Sequence, residues 1–94
     1  MGAFDRRLVK NAQIPWRILD GETLLVDHHE GELIRLNAVG TEIWSAIDGR
    51  RTVGDIIHHI EETFEVSKKQ ATRDVQRFIK QLLRQELIEE EPLS

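Results

Sequence analysis

The spacing of the apolar residues changes at Asn37, and this change constrains the fold more than any other feature of the chain. Residues 32–36 alternate as a strand does, with Ile34 and Leu36 on one face. Beyond Asn37, the apolar residues recur about every 3.6 positions, which is typical of an amphipathic helix. The side chain of Asn37 also suits a helix N-cap, because its oxygen accepts a backbone N–H of the first turn. The sequence therefore predicts strands first and helices afterwards.

Two more strands are predicted before residue 32, with short connections between them. Residues 14–19 alternate, and the Asp20-Gly21 pair that follows is typical of a two-residue hairpin turn. Residues 22–27 form the return strand, and Gly31 provides the backbone freedom for a second reversal. This connectivity predicts the sheet order one-two-three. The third strand then lies at an open edge, where its free N–H and C=O groups can pair with another chain.

Three helices are predicted after Asn37. The first covers residues 38–48, the second begins after Thr52, and the third begins at a capping box formed by Ser67 and Gln70. Three strands followed by three helices correspond to the α+β class. The expected architecture is a small winged-helix-like domain with a three-stranded antiparallel sheet followed by three helices.

The two ends of the chain are predicted to lie outside the folded domain. Residues 1–12 lack a periodic pattern and are expected to form a flexible N-terminal arm, followed by the domain over residues 13–89. Residues 90–94 are expected to form an acidic C-terminal tail. Just before this tail, the apolar pair Leu87-Ile88 is expected to close the core as a short extended piece.

The composition excludes several classes of protein. The 94 residues contain no cysteine, so disulfides, thiolate metal sites and a cysteine nucleophile are absent. The sequence has no apolar run near the roughly 18 residues of a membrane span and no apolar signal segment, so the cytoplasm is the expected compartment. The net charge of −4 weighs against general nucleic-acid binding, because neutralised phosphates supply most of that affinity.

The sequence contains no pattern typical of catalysis, metal binding or cofactor binding. The pairs His28-His29 and His58-His59 are adjacent in sequence, so their side chains diverge on a strand or a helix and do not form a chelate. A glycine-rich phosphate loop and a serine nucleophile elbow are both missing. We therefore expect a binding protein without a cofactor rather than an enzyme.

The predicted third helix carries the most informative surface. Five cations lie within a third of its circumference, roughly opposite the apolar face: Lys69, Arg73, Arg77, Lys80 and Arg84. A solvated stripe, a nucleic-acid recognition helix and a docking surface for an acidic or amphipathic peptide all fit this pattern. The peptide interpretation selects a ridge on the border between the basic and apolar faces, made of Lys69, Arg73, Gln76, Lys80 and Leu83.

Leu33 has two interpretations. Its side chain points away from the helices on the predicted edge strand. It can pack on the sheet face against Trp16 or Val26, or it can contact a strand from a partner. Both interpretations stay open at the level of the sequence.

Several of these segments together resemble the PqqD family, which is named for the D protein of pyrroloquinoline quinone biosynthesis. The resemblance covers residues 14 to 88. It depends on the strand end Arg35-Leu36-Asn37, the connector Asp48-Gly49-Arg50-Arg51-Thr52-Val53, and Asp74-Val75 with Phe78 and Leu82 in the third helix. One departure is Glu86, which stands where family members commonly have a glycine, so the third helix is expected to end differently.

The resemblance implies a RiPP recognition element, a domain that binds the leader segment of a ribosomally made precursor peptide. The leader adds as a strand to the third strand and lies against the third helix. The domain then presents the leader to a modifying enzyme, often a radical S-adenosylmethionine protein. Carried onto this chain, the resemblance implies these peptide-binding residues: Glu32, Leu33, Ile34, Arg35, Leu36, Lys69, Arg73, Gln76, Lys80 and Leu83.

The expected function is therefore that of a non-catalytic peptide chaperone, with pyrroloquinoline quinone biosynthesis as one candidate pathway. Two alternatives stay open. One is a winged-helix protein that binds nucleic acid. The other is a structural module that forms a homodimer through the same open edge.

Overall fold

The structure, a computed structural model, describes residues 2–91. A short 3₁₀ helix at Ala3–Asp5 comes first. The elements then follow as β1 (Leu8–Lys10), β2 (Trp16–Leu19), β3 (Glu22–Val26), β4 (Leu33–Leu36), α1 (Ala38–Ala46), α2 (Val53–Phe64), α3 (Lys68–Arg84) and β5 (Ile88–Glu90). This order confirms the α+β fold, with an antiparallel three-stranded sheet followed by three helices. Within these residues, no helix is long and apolar enough to span a membrane.

The three-stranded sheet has the order β2-β3-β4, as the sequence predicts. Asp20 and Gly21 join β2 to β3 with φ angles of 52° and 78°, and a two-residue hairpin turn favours such positive angles. The central strand β3 places Leu25 in the core, and Leu36 of β4 is buried on the same face. The opposite face keeps Leu33 exposed, so the sheet is covered by the helices on one side.

All three helices begin at side-chain caps. Asn37, Thr52 and Ser67 each accept a hydrogen bond from a backbone N–H of the first turn. The capping box predicted at Ser67 is only half formed, because the side-chain amide of Gln70 donates to the carboxylate of Asp74 instead. A charged acceptor one turn away makes the stronger hydrogen bond.

The N-terminal segment corrects one expectation. The flexible arm expected over residues 1–12 is not found in its described part, residues 2–12, because β1 lies there and pairs with β5 in a second, two-stranded sheet. Leu8 of β1 is 1% exposed and belongs to the hydrophobic core. A strand of three residues is too short to produce a recognisable alternation, so the pattern of the sequence does not reveal it.

The C-terminal segment corrects a second expectation. Leu87 and Ile88 are buried and close the core, as predicted, but the strand continues through Glu90. The expected acidic tail over residues 90–94 therefore begins inside β5. Residues 92–94 of that tail lie outside the described part of the chain.

The core lies between the three-stranded sheet and the helices, around the indole of Trp44. This ring is fully buried and meets the ring of Trp16 edge to face, with 5.9 Å between the centroids. The amino group of Lys10 lies 5.4 Å from both centroids and donates to the C=O of Ile47 at 2.7 Å. Burial lowers the pKa of Lys10, and the nearby carboxylate of Asp48 opposes this shift.

Candidate functional site

The strand β4 has a partner on one side only. Among residues 2–91 it pairs with β3 and with no other strand. The N–H of Asp27 donates to the C=O of Glu32 at 2.8 Å, so residue 32 turns its backbone groups toward β3. Because this orientation alternates along an antiparallel ladder, Leu33 and Arg35 turn their N–H and C=O groups to the open side. These two residues are available to a further strand.

The C-terminal strand does not occupy this edge. β5 pairs with β1 instead, with Glu90 opposite Leu8 and Ile88 opposite Lys10. This pairing occupies β5 in the second sheet, so no strand within residues 2–91 lies on the outer side of β4. A free edge strand is a ready template for another chain.

A compact turn fixes the start of β4. The buried carboxylate of Asp27 accepts the N–H of His29 at 2.9 Å, and the C=O of Asp27 accepts the N–H of Gly31 at 2.7 Å. Gly31 has a φ of 67°, a left-handed conformation that strains a residue with a side chain. The turn thus sets the register in which β4 pairs with β3.

The end of β4 is tied to α1 by one buried hydroxyl group. The Thr41 hydroxyl accepts hydrogen bonds from the N–H and the hydroxyl of Thr23, and it donates to the C=O of Leu36 at 3.3 Å. Thr23 and Leu36 are opposite each other in the β3–β4 register. The hydroxyl therefore bridges the last pair of this ladder and anchors α1 beside it.

A cleft of about 430 Å³ lies between β4, α1 and α3. It is lined by residues 34–36 of β4 and the cap residue Asn37, by Val39, Gly40 and Ile43 from α1, and by Asp74, Arg77, Phe78 and Gln81 from α3. The cleft begins at the open edge of β4. A strand added to that edge would place every second side chain toward the cleft, because side chains alternate along a strand.

Gly40 controls how closely the walls of the cleft approach each other. A Cβ atom on Gly40 would lie 3.2 Å from Cβ of Leu36 and 3.3 Å from Cζ of Phe78. Both distances are shorter than comfortable van der Waals contact between carbon atoms. The absence of a side chain at this position therefore lets the first turn of α1 sit against both β4 and α3.

The rim of the cleft carries two cations. Arg35 is mostly exposed, and its ion pair with Glu22 is long, at 3.9 Å. Arg77 makes no ion pair with any residue in the described range. The carboxylate of Asp74 is already engaged by the amide of Gln70. The rim is thus suited to acidic groups on an extended ligand above an apolar floor.

Comparison with known families establishes the kinship of the chain. The sequence profile described as Coenzyme PQQ synthesis protein D (PqqD) matches residues 22–88, more than two thirds of the chain. The chain belongs to the PqqD family. The resemblance expected from the motifs is confirmed, although the matched range leaves β1 and β2 outside it. No curated protein matches the chain significantly.

A solved structure resembles this PqqD-family chain over most of its length. It is described as TbiB1 in complex with the TbiA(beta) leader peptide. The two chains are 26% identical, and the superposition has a TM-score of 0.77. It covers 86% of this chain and 94% of TbiB1.

The strand residues predicted for the PqqD-like site lie at the open edge. Glu32 directly precedes β4, and Leu33 and Arg35 present exposed side chains on it. Ile34 and Leu36 point toward the helices and line the cleft. Leu33 is 66% exposed opposite Val26, so it is not covered by packing on the sheet face. The binding role of these residues stays a prediction.

The predicted α3 ridge does not face β4. Three members of the ridge, Gln76, Lys80 and Leu83, line a second and smaller cleft of about 230 Å³. Residues from α2 and from the N-terminal segment complete the lining of this cleft. The other two, Lys69 and Arg73, are exposed and line neither cleft. The structure therefore does not place the ridge and the strand residues in one cleft, and the binding role of the ridge stays a prediction.

The physical reason is that the apolar stripe of α3 has two borders. The border that faces β4 carries Asp74, Arg77 and Gln81. Each of these residues directly follows a ridge residue in the sequence, and one position along an α-helix is a rotation of about 100° about its axis. The periodicity of one helix does not say which border faces the sheet. The motif Asp74-Val75 with Phe78, which carried part of the family resemblance, already contained two of the residues that line the cleft.

The side chains of the pair His58-His59 diverge, as the sequence predicts. His58 faces Glu61 and Glu62, whereas His59 contacts the carboxylate of Glu42 at 3.1 Å. The part of the chain that the structure describes contains no group of three or more His, Asp or Glu side chains arranged to hold a metal ion. The features that stand out are thus the open strand edge and the adjacent cleft.

Proposed function

We propose that this protein is a RiPP recognition element, a peptide chaperone without catalytic activity of its own. It binds the leader segment of a ribosomally made precursor peptide and presents the leader to an enzyme that modifies the precursor. The observation that carries the proposal is the open edge of β4 beside the cleft. The similarity to TbiB1, whose structure contains a leader peptide, supports it.

The bound leader forms a fourth strand of the sheet. Its backbone pairs with the outward N–H and C=O groups of Leu33 and Arg35. Alternate leader side chains enter the cleft, whose apolar floor includes Ile34, Val39 and Phe78. Backbone pairing supplies affinity for an extended peptide, and the cleft supplies the preference for particular side chains.

Acidic leader residues meet the two cations at the rim. Arg35 lies on the edge strand and Arg77 lies on the facing border of α3, so both reach an added strand between them. Both guanidinium groups are suited to carboxylates, because their planar donors pair with two oxygens at once. Exposed charge pairs of this kind mainly change the rate of association and its dependence on salt.

The partner enzyme is the recipient of the bound leader. A radical S-adenosylmethionine enzyme is the class that the family resemblance implies. Pyrroloquinoline quinone biosynthesis is the pathway for which the family is named. The described residues offer a binding edge and a cleft, and the proposed division of labour leaves the chemistry to the partner.

A titration followed by NMR tests the site. Isotope-labelled protein is titrated with the synthetic leader of a candidate precursor peptide, and the TbiA(beta) leader held by TbiB1 is a first probe. We expect the amide signals of residues 33–37 and 74–81 to shift together, because these segments form the edge and the cleft. Shifts restricted to other parts of the chain would refute the proposed site.

A pair of charge reversals on α3 decides which border of the helix is used. Arg77→Glu should weaken leader binding about tenfold, whereas Arg73→Glu should leave it unchanged, because only Arg77 lines the cleft beside β4. Both variants make the same change in net charge, so general electrostatic effects cancel in the comparison. The reverse result would favour the ridge predicted from the sequence.

The charge on α3 favours nucleic-acid binding as a second candidate function. This helix contains six of the 13 basic residues of the chain and one of its 17 acidic residues. Binding by this surface predicts retention of random duplex DNA at low salt, with a steep fall as salt rises. If the protein binds DNA in this way and does not bind the leader, the peptide proposal is wrong.

A further inference from the structure

A second open edge lies on the other side of the same sheet. Six large apolar side chains are exposed among the described residues, and three of them belong to β2. Trp16 is 44% exposed, Ile18 43% and Leu19 47%. Arg17 between them is also exposed, so β2 presents exposed side chains on both faces, although the Trp16 ring packs in part against Trp44. An apolar edge strand of this kind is typical of a surface that another strand covers.

The backbone of β2 has free groups in the right places. The N–H of Val26 donates to the C=O of Pro15 at 3.2 Å, which turns residue 15 toward β3. By the alternation of an antiparallel ladder, Trp16 and Ile18 turn their N–H and C=O groups away from β3. In the described structure β2 pairs only with β3. The outer groups of Trp16 and Ile18 therefore have no strand to pair with.

We propose that β2 pairs with β2 of a second copy of this chain, antiparallel and about a two-fold axis at Ile18. The two three-stranded sheets then join into one sheet of six strands. Its outermost strands are the two copies of β4, so the leader-binding edges stay open. This dimer does not use the edge proposed for the leader, and it does not depend on leader binding.

Two registers about a two-fold axis pair three residues of β2 with three residues of its copy, and the side chains select between these two. An axis at Arg17 would place the two Arg17 guanidinium groups directly opposite each other, and like charges in that position destabilise a sheet. An axis at Ile18 places Ile18 opposite its own copy and Arg17 opposite Leu19. Ile18 also turns its backbone groups outward, so the central pair exchanges two hydrogen bonds.

Charge complementarity supports a second copy as the occupant. In the register centred on Ile18, Asp20 of one copy comes next to Trp16 of the other. The amino group of Lys10 lies over that Trp16 ring. Each copy thus brings a carboxylate to the cation of its partner, and the two-fold axis repeats the contact.

The strand has only part of the usual protection of an edge, namely its short length and the exposed charge of Arg17. β2 contains no lysine, and its only proline neighbour, Pro15, precedes the strand. Proline and inward-pointing charges are the common means by which edge strands resist pairing. Pro15 and the Asp20-Gly21 turn limit the ladder to Trp16–Leu19, so pairing has few registers to choose from.

Sedimentation equilibrium of the full chain tests the dimer. Over about 10 µM to 1 mM, we expect the mass to rise from 10.9 kDa toward twice that value. Hydrogen exchange on the same samples should slow at the amide of Ile18 as the concentration rises. A mass that stays at 10.9 kDa throughout would overturn the proposal.

Two matched variants identify the edge that is used. Ile18→Lys places two charges at the axis and should abolish the dimer while leader binding is retained. Leu33→Lys makes the same change on β4 and should weaken leader binding while the dimer persists. Circular dichroism checks that both variants are folded. The hydrogen-exchange measurement uses the wild-type protein, so it tests the pairing of β2 even if a variant fails to fold.

Each remaining outcome has a definite meaning. A dimer that survives Ile18→Lys, or one that is lost with Leu33→Lys, would place the interface elsewhere and contradict the pairing of β2. A wild-type protein that dimerises through β2 but does not bind the leader would refute the proposed function and leave this inference standing.

Discussion

The hydroxyl oxygen of Thr41 lies 2.9 Å from both the backbone nitrogen and the hydroxyl oxygen of Thr23. Thr23 is on the central strand and Thr41 is on α1, and both side chains are buried. The pair joins the sheet to the helix where β4 ends. It therefore holds together two of the three walls of the cleft beside the open edge.

Thr41→Val should destabilise the protein by about 1–3 kcal/mol, because it leaves the buried N–H of Thr23 without its acceptor. The shape of the side chain is nearly unchanged, so packing contributes little to the effect. Urea denaturation followed by circular dichroism measures the change. The same substitution at the exposed Thr63 is the control and should stay within about 0.5 kcal/mol of the wild type. Equal effects at the two positions would contradict a structural role for the hydroxyl.

Arg35→Pro should abolish leader binding while the fold is kept. Proline removes the N–H of residue 35, which faces the open side, and leaves the bonds to β3 intact. Arg35→Ala is compared with it, because alanine removes the charge and keeps the N–H. Titration calorimetry with the leader peptide should give a clearly weaker affinity for Arg35→Pro than for Arg35→Ala. If the two variants bind alike, the leader does not pair with this edge.

Gly40→Ala should lower leader affinity about three- to tenfold. The new Cβ atom would lie 3.3 Å from Cζ of Phe78 and 3.2 Å from Cβ of Leu36, so the Phe78 ring moves into the cleft. Gly54→Ala is the matched control, since its nearest neighbouring atom would be 3.4 Å away and Gly54 lies outside the cleft. Fluorescence anisotropy of a labelled leader measures both variants. An unchanged affinity for Gly40→Ala would show that Phe78 does not shape the bound state.

Asp48→Ala should destabilise the protein at neutral pH, with a difference from the wild type that shrinks in acid. The backbone N–H groups of Arg51 and Arg50 hold the pKa of Asp48 below its ordinary value of 3.8. The unfolded chain then binds this proton first as the pH falls. The stabilisation that the Asp48 carboxylate gives to the folded state is therefore complete above about pH 5 and is progressively lost as the pH falls below 3.8. Urea denaturation at pH 7 and at pH 3 checks it, and an equal difference at both would contradict this cause.

Features set by neighbouring residues could be predicted from the sequence. Asp20-Gly21 adopts the expected positive φ angles, and Asn37 caps α1 as its position before the helix suggests. Short connections then led to the order of the three strands. These predictions succeed because turn and cap chemistry act over two to four residues.

Features set by distant contacts could not be predicted. β1 and β5 are three residues each and pair across almost the whole chain, so neither has a pattern of its own. The border of α3 that faces β4 depends on how α1 sits at Gly40, which the periodicity of α3 does not contain. The residues of the candidate site on β4 could thus be predicted from the sequence, whereas the residues on α3 that line the cleft could be identified only from the three-dimensional structure.

The pairing of Leu8 with Glu90 brings the beginning and the end of the described chain side by side. A domain with neighbouring ends can be joined to, or inserted into, a larger polypeptide without stretching its host. Within residues 2–91, neither β1 nor β5 pairs with β4, so a fusion next to them would leave the edge proposed for the leader uncovered. The described fold is therefore compatible with covalent linkage to another folded unit through either of its neighbouring ends.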